Sequence, residues 1–578
     1  MAKSKNPRLC QLQTPFEKDN SLSWQSEYPR PQLKRENWQS LCGNWQLDVK
    51  TAGGSIDALG SITVPYPPES RISGIMRQLA EDEQYIYSKA FTLADYTCGS
   101  RVLLHFGAVD THCSVYINGH KAGSHSGGYL PFTLDITGLI TTDRKNILTV
   151  EVSDPLDIDL AYGKQTKKRG GMWYTPISGI WQAVWLECVP QDYIKEIRLT
   201  PSSDSITIET LGGTEEKALV ITTPDGEICH SFKGDTTTVK IDNPQHWSPE
   251  NPYLYSFTLA SGNDKIESYF ALRTITIEKV RGQSYICLNG KPYFFHGLLD
   301  QGYYSDGIYT PATPQGYIYD IETMKSLGFN MLRKHIKIEP DLFYYYCDKI
   351  GMVVFQDMLN AGTYHYIIDT VLPTIGIKKG FTHPASPKRK EFFERECRQI
   401  CDLLYNHPSV CYYTIFNEGW GQYDADRIYT ELKEYEPTRV WDATSGWFFE
   451  KKSDVDSHHI YFRKINLKAK SDRPLVLSEF GGFSFKEPRH SFNLDDNYGY
   501  KNFDSREALT DGIVNMYTTD IVNCIKNGMC ATVYTQVSDV EDETNGLVTY
   551  DRQIVKVDRD KMLNMAEVLF NEFDKKVK

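Results

Sequence analysis

Regular alternation of apolar strands with helical segments constrains the fold of this chain more than any other feature of its sequence. Helical patterns separate the predicted strands, and two of them end at Gly328 and Gly351, as helices with a C-terminal glycine cap do. Eight such alternations predict a (β/α)8 barrel over residues 280–578. An open doubly wound sheet is the alternative, but the chain has neither a GxGxxG nor a GxxxxGK[ST] turn. The predicted strands begin near Pro292, Asn330, Met352, Val410, Arg439, Val455, Pro474 and Cys530.

Short alternating strands separated by turns fill the part of the chain before the barrel. In residues 1–190, the pair Asn118-Gly119 lies between two apolar runs and predicts a hairpin. We expect an N-terminal jelly-roll β-sandwich there. Residues 191–279 have the strand number and length of an immunoglobulin-like β-sandwich, with a hairpin predicted at Asp225-Gly226. The disulfide typical of immunoglobulins is missing, because Cys229 has no nearby partner cysteine in this block.

Composition and charge restrict the partners and the cell compartment that we expect for this protein. The net charge is −12, which makes nucleic acids and anionic membranes poor partners. No apolar run reaches 18 residues and no secretory signal is visible, so we expect a cytoplasmic protein that contacts no membrane. The 13 cysteines form no CxxC pairs, which predicts free thiols in a reducing compartment. The sequence does not determine the oligomeric state and is compatible with a homo-oligomer.

Two predicted barrel strands end in a glutamate. The segment YTIFNEGWG carries Glu418 at an abrupt strand end followed by glycines, and PLVLSEFGG carries Glu479 in the same setting. Catalytic side chains of such barrels lie at the carboxyl ends of the strands. Glycoside hydrolysis is the reaction that most often needs a pair of carboxylates. A strand-end Asn-Glu pair that merely caps a loop is the structural alternative for Glu418.

Motifs along nearly the whole chain resemble glycoside hydrolase family 2. In the first domain these are LCGNWQLDV, ITVPYPPESRISGI and GGMWYTPISGIWQAVWLE, and in the second HWSPENPYLYSFTL and FALRTI. In the barrel they are LNGKPYFFHGLLDQGYYSDG and GFNMLRKHIKIEPDLFYYYCDKIGMVVFQDM. The resemblance implies a retaining β-glycosidase whose chemistry needs no cofactor. No metal ligands are assigned from the sequence, which leaves metal dependence open.

Individual roles follow from this resemblance. Glu418, at the end of strand four, matches the general acid/base, and Glu479, on strand seven, matches the nucleophile. Asn417 resembles the asparagine that binds the sugar 2-hydroxyl, and Tyr461 the tyrosine that contacts the nucleophile. Arg333 resembles the arginine that orients the nucleophile.

Three further aromatic or imidazole side chains are candidates for the same site. His335 resembles a sugar ligand of the family, although it follows Arg333 one residue sooner than the family spacing. Trp420 and Trp447 are candidates for the sugar site, with core packing as the alternative. His458 and His459 are adjacent, and because adjacent strand residues face opposite sides they make a poor metal site. The acidic run from Asp539 to Thr544 is either an acidic loop or part of the barrel mouth, and its acids are not assigned.

The sugar is inferred by elimination. Family β-glucuronidases carry an Asn-x-Lys pair for the uronate, and this chain has Leu547 where the lysine is expected. Lys334 or Arg552 could replace it. We therefore expect β-galactosidase-like activity first, with β-glucuronidase, β-mannosidase or arabinosidase as alternatives and a non-catalytic carbohydrate-binding protein as the rival class. Long connections at residues 359–409 and 482–527 predict a closed pocket and exo-action.

Overall fold

The computed structural model of the chain describes residues 7–19, 21–93, 100–142, 144–374, 377 and 383–578. It contains two β-sandwich regions followed by an eight-stranded parallel barrel, which confirms the predicted fold class. The domain limits at residues 190 and 279 stay predictions. In the described part of the chain, no helix combines the length and the apolar character that crossing a membrane requires. The cysteines described there are all unpaired.

The first sandwich has a four-stranded and a six-stranded antiparallel sheet, whose inner faces enclose an apolar core. The predicted hairpin at Asn118-Gly119 is present, and both residues have positive φ, 53° and 82°. In sheet order, the smaller sheet contains Trp38–Ser40, Val184–Val189, Arg101–Phe106 and Phe132–Asp135. The larger sheet contains Ile56–Val64, Gly43–Lys50, Gln84–Phe91, Asn146–Ser153, His112–Ile117 and His120–Ser126. Val109–Asp110 pairs with Gly179–Ile180, and single helical turns occupy Pro15–Lys18, Pro31–Leu33 and Thr137–Leu139.

The second sandwich is smaller and encloses its own apolar core. The hairpin predicted near Asp225 is present, and Gly226 is the first residue of its second strand. One sheet contains Ile194–Pro201, Ser205–Gly212 and Thr236–Lys240, and the other contains Gly226–Lys233, Glu216–Thr223, Tyr255–Ser261 and Asp264–Phe270. A three-stranded sheet of Ile275–Val280, Gln283–Leu288 and Lys291–Pro292 then leads into the barrel.

All eight barrel strands lie where the sequence predicts them and pair in parallel. Nearly every strand residue is buried, as expected for strands enclosed between a packed interior and outer helices. Sheet order places strands one to five side by side, then strands eight, seven and six beyond strand one. In chain order, the strands are Phe295–Asp300, Met331–Lys334, Val353–Asp357, Val410–Asn417, Val440–Ser445, Asp456–Ile460, Leu475–Gly481 and Met529–Thr535.

Helices connect the strands on the outside of the barrel. Gly351 ends one of them with φ 82°, as predicted, and Ser386 and Ser505 cap two others with their side chains. The helices are Gln315–Ser326, Asp341–Ile350, Leu372–Thr374, Pro387–Leu404, Ala425–Tyr435, Arg506–Met516, Val522–Lys526 and Arg559–Val577, with π-helical turns at Ile367–Val371 and Tyr517–Ile521. Phe483–Ser484 pairs with Lys501–Asn502 in the long connection after strand seven. The predicted connection at residues 359–409 falls partly outside the described residues.

Candidate active site

Glu418 follows directly after the fourth barrel strand. Every residue of that strand is buried, and Glu418 is the first residue after it that is partly exposed. Glu418 therefore lies at the mouth of the barrel. Glu418 has φ 52°, in the left-handed region, and Gly419 continues the turn with φ 76°. A Cβ atom on Gly419 would lie 2.1 Å from a ring carbon of Phe448, so only glycine fits there. This turn directs the Glu418 carboxylate into the mouth of the barrel.

Glu479 lies within the seventh strand, two residues before its end, and is 5% exposed. The pairing of this strand with strand eight shifts register between Leu477 and Phe480, on either side of Glu479. Such irregularities re-aim a side chain next to a functional site. The sequence pattern predicts Glu479 at the strand end, whereas the strand continues through Gly481.

His459 connects the two glutamates. Its Nδ1 atom lies 2.7 Å from Oε1 of Glu418 and 3.7 Å from Oε2 of Glu479. One ligand atom from each of these three residues lies within 4.8 Å of the others. Because inverting enzymes keep their carboxyl groups roughly 6.5–9.5 Å apart, the short separation favours a retaining arrangement. The sequence pattern indicates only that His459 is a poor metal ligand and does not predict this position between the two glutamates.

Arg333 supports Glu479 from the second strand and is fully enclosed, with 1% exposure. Its Nη1 donates to Oε1 of Glu479 at 3.0 Å, and its Nε donates to Oδ1 of Asp357 at 2.9 Å. Its Nη2 donates to Oδ1 of Asn417 at 2.8 Å. The planar guanidinium therefore fixes three side chains from three different strands. Asp357 also ends a buried apolar strand, so the pattern that identified Glu418 could have identified it.

Tyr461 lies just after strand six and binds the second oxygen of Glu479. Its hydroxyl donates to Oε2 at 2.7 Å and lies 2.8 Å from Oγ1 of Thr535. The ring stacks on Tyr500, with the two centroids 4.2 Å apart. Tyr461 and Arg333 thus hold the two oxygens of Glu479 from opposite sides.

The two glutamates have opposite pKa shifts. Burial raises the pKa of Glu418, and the charge of Glu479 adds to this, against the hydrogen bond with His459. Burial alone would also raise the pKa of Glu479, but the electrostatic effects of His459 and Arg333 exceed it and lower the pKa to about 2. One carboxyl is thereby favoured in its protonated form and the other as a carboxylate, the division that acid–base catalysis with two carboxyls requires.

The structure brings some of the other predicted residues to the site and leaves two outside it. His335 lines the pocket and its Nδ1 lies 2.7 Å from Oδ2 of Asp357, while burial and Lys164 lower the pKa of His335 to about 4. Trp420 also lines the pocket. Trp447 is half-buried, with its ring centroid 6.3 Å from that of His459, and lies outside the lining. His458 lies 3.1 Å from Asp456, on the other side of its strand, as the alternation of strand side chains predicts.

Residues from three parts of the chain close the pocket around the carboxylates. The first sandwich contributes Lys164, Met172 and Trp173, and the two long connections contribute Tyr364 and Tyr500. No sequence pattern identifies Lys164, because its place at the barrel mouth depends on how the sandwich packs against the barrel.

The acidic segment after strand eight packs against the first sandwich. Glu541 accepts the backbone N–H of Thr175, and Arg169 lies 3.2 Å from Asp542. Glu543 lines the pocket and accepts hydrogen bonds from Tyr174 and Gln536 at 2.5 and 2.9 Å. This segment therefore anchors the sandwich and supplies one more carboxylate to the site.

Neither cation considered as a substitute for the missing lysine reaches the pocket. Lys334 donates to Asp300 and Glu339, and Arg552 binds Asp320 through two nitrogens. Neither of them, nor Leu547, is among the pocket-lining residues.

Three models of known protein families match consecutive parts of the chain. Residues 59–180 match the glycosyl hydrolase 2 galactose-binding domain-like family, and residues 196–273 match glycosyl hydrolases family 2. Residues 279–568 match the TIM barrel domain of glycosyl hydrolases family 2.

Relatives of known name fall into two groups. A β-galactosidase of Thermoanaerobacter pseudethanolicus is 27% identical over 380 residues, covering 61% of this chain and 47% of that protein. A β-glucuronidase of Bacteroides fragilis is 25% identical over 405 residues, covering 62% of this chain and 54% of that protein. The chain thus spans about half the length of the curated relatives it matches.

Solved structures share the fold over almost the whole chain. A β-glucuronidase from an uncultured Clostridium species has a TM-score of 0.72 at 18% identity, covering 93% of this chain and 99% of its own. The β-D-glucuronidase of Dictyoglomus thermophilum has the same TM-score and identity, covering 95% and 98%. At this identity the likeness concerns the fold alone. With the barrel match covering half of the sequence and the sandwich matches preceding it in order, the chain belongs to glycoside hydrolase family 2.

Proposed function

We propose that the protein is a retaining β-glycosidase that works by double displacement. The observation that carries this proposal is the pair Glu418 and Glu479, close together and with opposite pKa shifts. Ionised Glu479 attacks the anomeric carbon while protonated Glu418 gives its proton to the leaving oxygen. Glu418 then takes a proton from the water that cleaves the glycosyl–enzyme bond. Arg333 and Tyr461 hold Glu479 in position for the attack.

We propose exo-action, with one terminal sugar released per cycle. The lining of the pocket supports this, because aromatic side chains from the sandwich and from both long connections surround the carboxylates. A pocket closed on these sides admits the end of a sugar chain, whereas an open groove would admit its middle. Internal cleavage of a defined β-linked oligosaccharide before any monosaccharide is released would contradict this proposal.

For the sugar, we propose a β-D-glucuronide. The elimination that favoured galactose assumed a pocket without a cation, but Lys164 lines it. Among the described residues, no carboxylate lies within 4.0 Å of the Lys164 ammonium group, so this group is available to a substrate carboxylate. The glucuronidase names of the structural neighbours and of several relatives point the same way.

A β-D-galactoside is the second candidate, and Glu543 is the observation that favours it. This carboxylate lines the same pocket, where it would accept hydrogen bonds from the hydroxyl groups of a neutral sugar and repel the carboxylate of a uronate. The name of the relative from Thermoanaerobacter pseudethanolicus agrees with this candidate.

A panel of nitrophenyl β-glycosides tests these proposals with the wild type, Lys164→Met and the control Lys168→Met. Lys168 is exposed and lies near Lys164 in the chain. For a glucuronidase, Lys164→Met lowers kcat/KM on the glucuronide by roughly 10–100-fold, the value of one charge-assisted hydrogen bond. The control leaves kcat/KM unchanged. Faster hydrolysis of the galactoside by the wild type would favour the second candidate, and no hydrolysis of any glycoside would favour the non-catalytic rival class.

A further inference from the structure

A second cleft, of about 590 Å³, lies between the first sandwich and the outside of the barrel. Its floor is the four-stranded sheet, and the helices Asp341–Ile350 and Pro387–Leu404 contribute to its walls. It shares no lining residue with the hydrolytic pocket. Its volume is within the range of clefts that bind small molecules.

Aromatic rings lie along the floor of this cleft in an ordered arrangement. Trp185, His105 and Thr133 are direct cross-strand neighbours on three strands. The His105 ring stacks on Trp185 with centroids 4.8 Å apart, and the His125 ring stacks on Phe132 with centroids 4.3 Å apart. Flat rings of this kind provide apolar contact area. Nε1 of Trp185 donates to Oε1 of Glu187, and Nδ1 of His105 lies 2.7 Å from Oγ1 of Thr133. Among the described residues of this floor, the ring nitrogens without a hydrogen-bond partner are Nε2 of His105 and Nε2 of His125.

Four polar side-chain atoms of lining residues are buried without a hydrogen-bond partner in the described chain. They are Nε2 of His105, Nε2 of His125, Nε2 of Gln182 and Nε of Arg30. The first of these lies 3.6 Å from Oε1 of Glu187, beyond hydrogen-bond distance. His105 is 2% exposed and Gln182 is 4% exposed. Because buried polar groups in folded proteins are nearly always paired, these four atoms need partners, which a bound ligand or ordered water can supply.

Charge and protonation narrow the chemistry of that ligand. Two cationic side chains, Arg30 and Lys195, line the cleft, together with four carboxylates, those of Glu196, Glu339, Asp341 and Asp402. The excess of carboxylates disfavours an anion. Burial lowers the pKa of His105 to about 3 and that of His125 to about 4, so both imidazoles are neutral at physiological pH. A neutral imidazole nitrogen either donates or accepts a hydrogen bond according to its tautomer. A hydroxyl group can pair with it in both cases, because it is itself a donor and an acceptor.

We propose that this cleft is a second carbohydrate-binding site, which takes a neutral mono- or disaccharide and is separate from the hydrolytic pocket. The aromatic floor packs against the C–H face of the sugar ring. The unpaired nitrogen atoms bind its hydroxyl groups. The site would hold a neutral sugar chain on the enzyme while the pocket cleaves another chain end.

Isothermal titration with lactose and with cellobiose tests this proposal on the full chain. The variants are His125→Phe, which keeps the stacking on Phe132 but removes the nitrogen, and Gln182→Leu. The exposed His120, on the same strand as His125, provides the control His120→Phe. We expect binding of at least one probe to the wild type, an affinity loss of roughly tenfold or more in each cleft variant, and none in the control. The kcat/KM for nitrophenyl glycosides should stay unchanged in all three variants.

Two results would overturn the proposal. One is the absence of binding for both sugars in the wild type. The other is binding that Trp420→Ala, in the hydrolytic pocket, abolishes while both cleft variants retain it. If a cleft variant is unstable in thermal unfolding, the second one provides the same comparison. Hydrolysis is measured separately, so failure of the binding test leaves the proposed catalytic function untouched.

Discussion

Nδ1 of His459 lies 2.7 Å from Oε1 of Glu418, so the proposed acid/base is held by a ring from strand six. The other ring nitrogen of His459 lies 3.0 Å from Oγ of Ser445, which fixes the ring orientation. His459 thereby links the position of Glu418 to the rest of the barrel interior. Removing this ring should change the ionisation of the site more than its shape.

Substitution of His459 tests this link through the pH dependence of kcat/KM. His459 lowers the pKa of both glutamates, so His459→Phe should raise both values. Activity needs Glu479 ionised and Glu418 protonated, and both limbs of the bell-shaped profile should therefore move to higher pH. His458→Phe is the matched control, because that ring lies on the other face of the strand. Equal shifts in the two variants would show that His459 has no special effect.

Glu479→Gln should abolish turnover of every substrate and leave the fold intact. The amide cannot form the glycosyl–enzyme bond, and it replaces a side chain of nearly the same size. Activity on an activated aryl glycoside, together with a thermal unfolding curve, checks both parts. Glu507→Gln, on an exposed helix start, is the control. Substantial residual turnover would mean that another residue is the nucleophile.

Glu418→Gln should affect substrates according to their leaving group. General acid catalysis contributes about 10²–10⁴-fold when the leaving oxygen needs a proton, and little when it does not. The kcat/KM value reports the first step, formation of the glycosyl–enzyme. The variant should therefore lose much of its kcat/KM on alkyl glycosides and little on dinitrophenyl glycosides. The measurement is kcat/KM of the wild type and of Glu418→Gln on both substrate types. Equal losses on both would show that Glu418 is not the acid.

Tyr461→Phe should lower kcat while the protein stays folded. The variant removes the hydrogen bond that the hydroxyl donates to Oε2 of Glu479 and keeps the ring stacked on Tyr500. A hydrogen bond to a charged group contributes about 1.5–3 kcal/mol, which corresponds to roughly 10–100-fold in rate. Steady-state kinetics and circular dichroism measure the two properties. An unchanged kcat would mean that Arg333 alone suffices to hold Glu479.

Arg552→Met should destabilise the protein without changing its choice of sugar. Arg552 and Asp320 form a buried ion pair, with side chains 0% and 3% exposed. Removing one partner leaves an unpaired buried carboxylate, which costs about 3–5 kcal/mol. Arg8→Met removes an exposed ion pair with Asp495 and should leave the free energy of unfolding nearly unchanged. Denaturant unfolding compares the two, and an altered preference between glucuronide and galactoside in Arg552→Met would contradict its placement outside the pocket.

Local pattern in the sequence was enough to find the barrel and the two glutamates. Buried strands of a parallel barrel are continuous apolar runs, and a carboxylate directly after such a run must lie at the mouth. The hairpin at Asn118-Gly119 followed from the same kind of reasoning, since few residue pairs accept positive φ at both positions. These properties depend on residues adjacent in the chain, and so the sequence by itself determined them.

Only the tertiary structure decided which side chains meet. Lys164 lies 254 residues before Glu418 in the chain, and it reaches the same pocket because the first sandwich packs against the barrel mouth. His459 became part of the site rather than its neighbour His458 because the register of strand six directs it inward. Lys334 and Arg552 had the right charge for a uronate, but buried carboxylates bind them elsewhere. Strand pairing and domain packing determine these contacts. The contacting residues are far apart in the chain, so no local sequence pattern specifies the contacts.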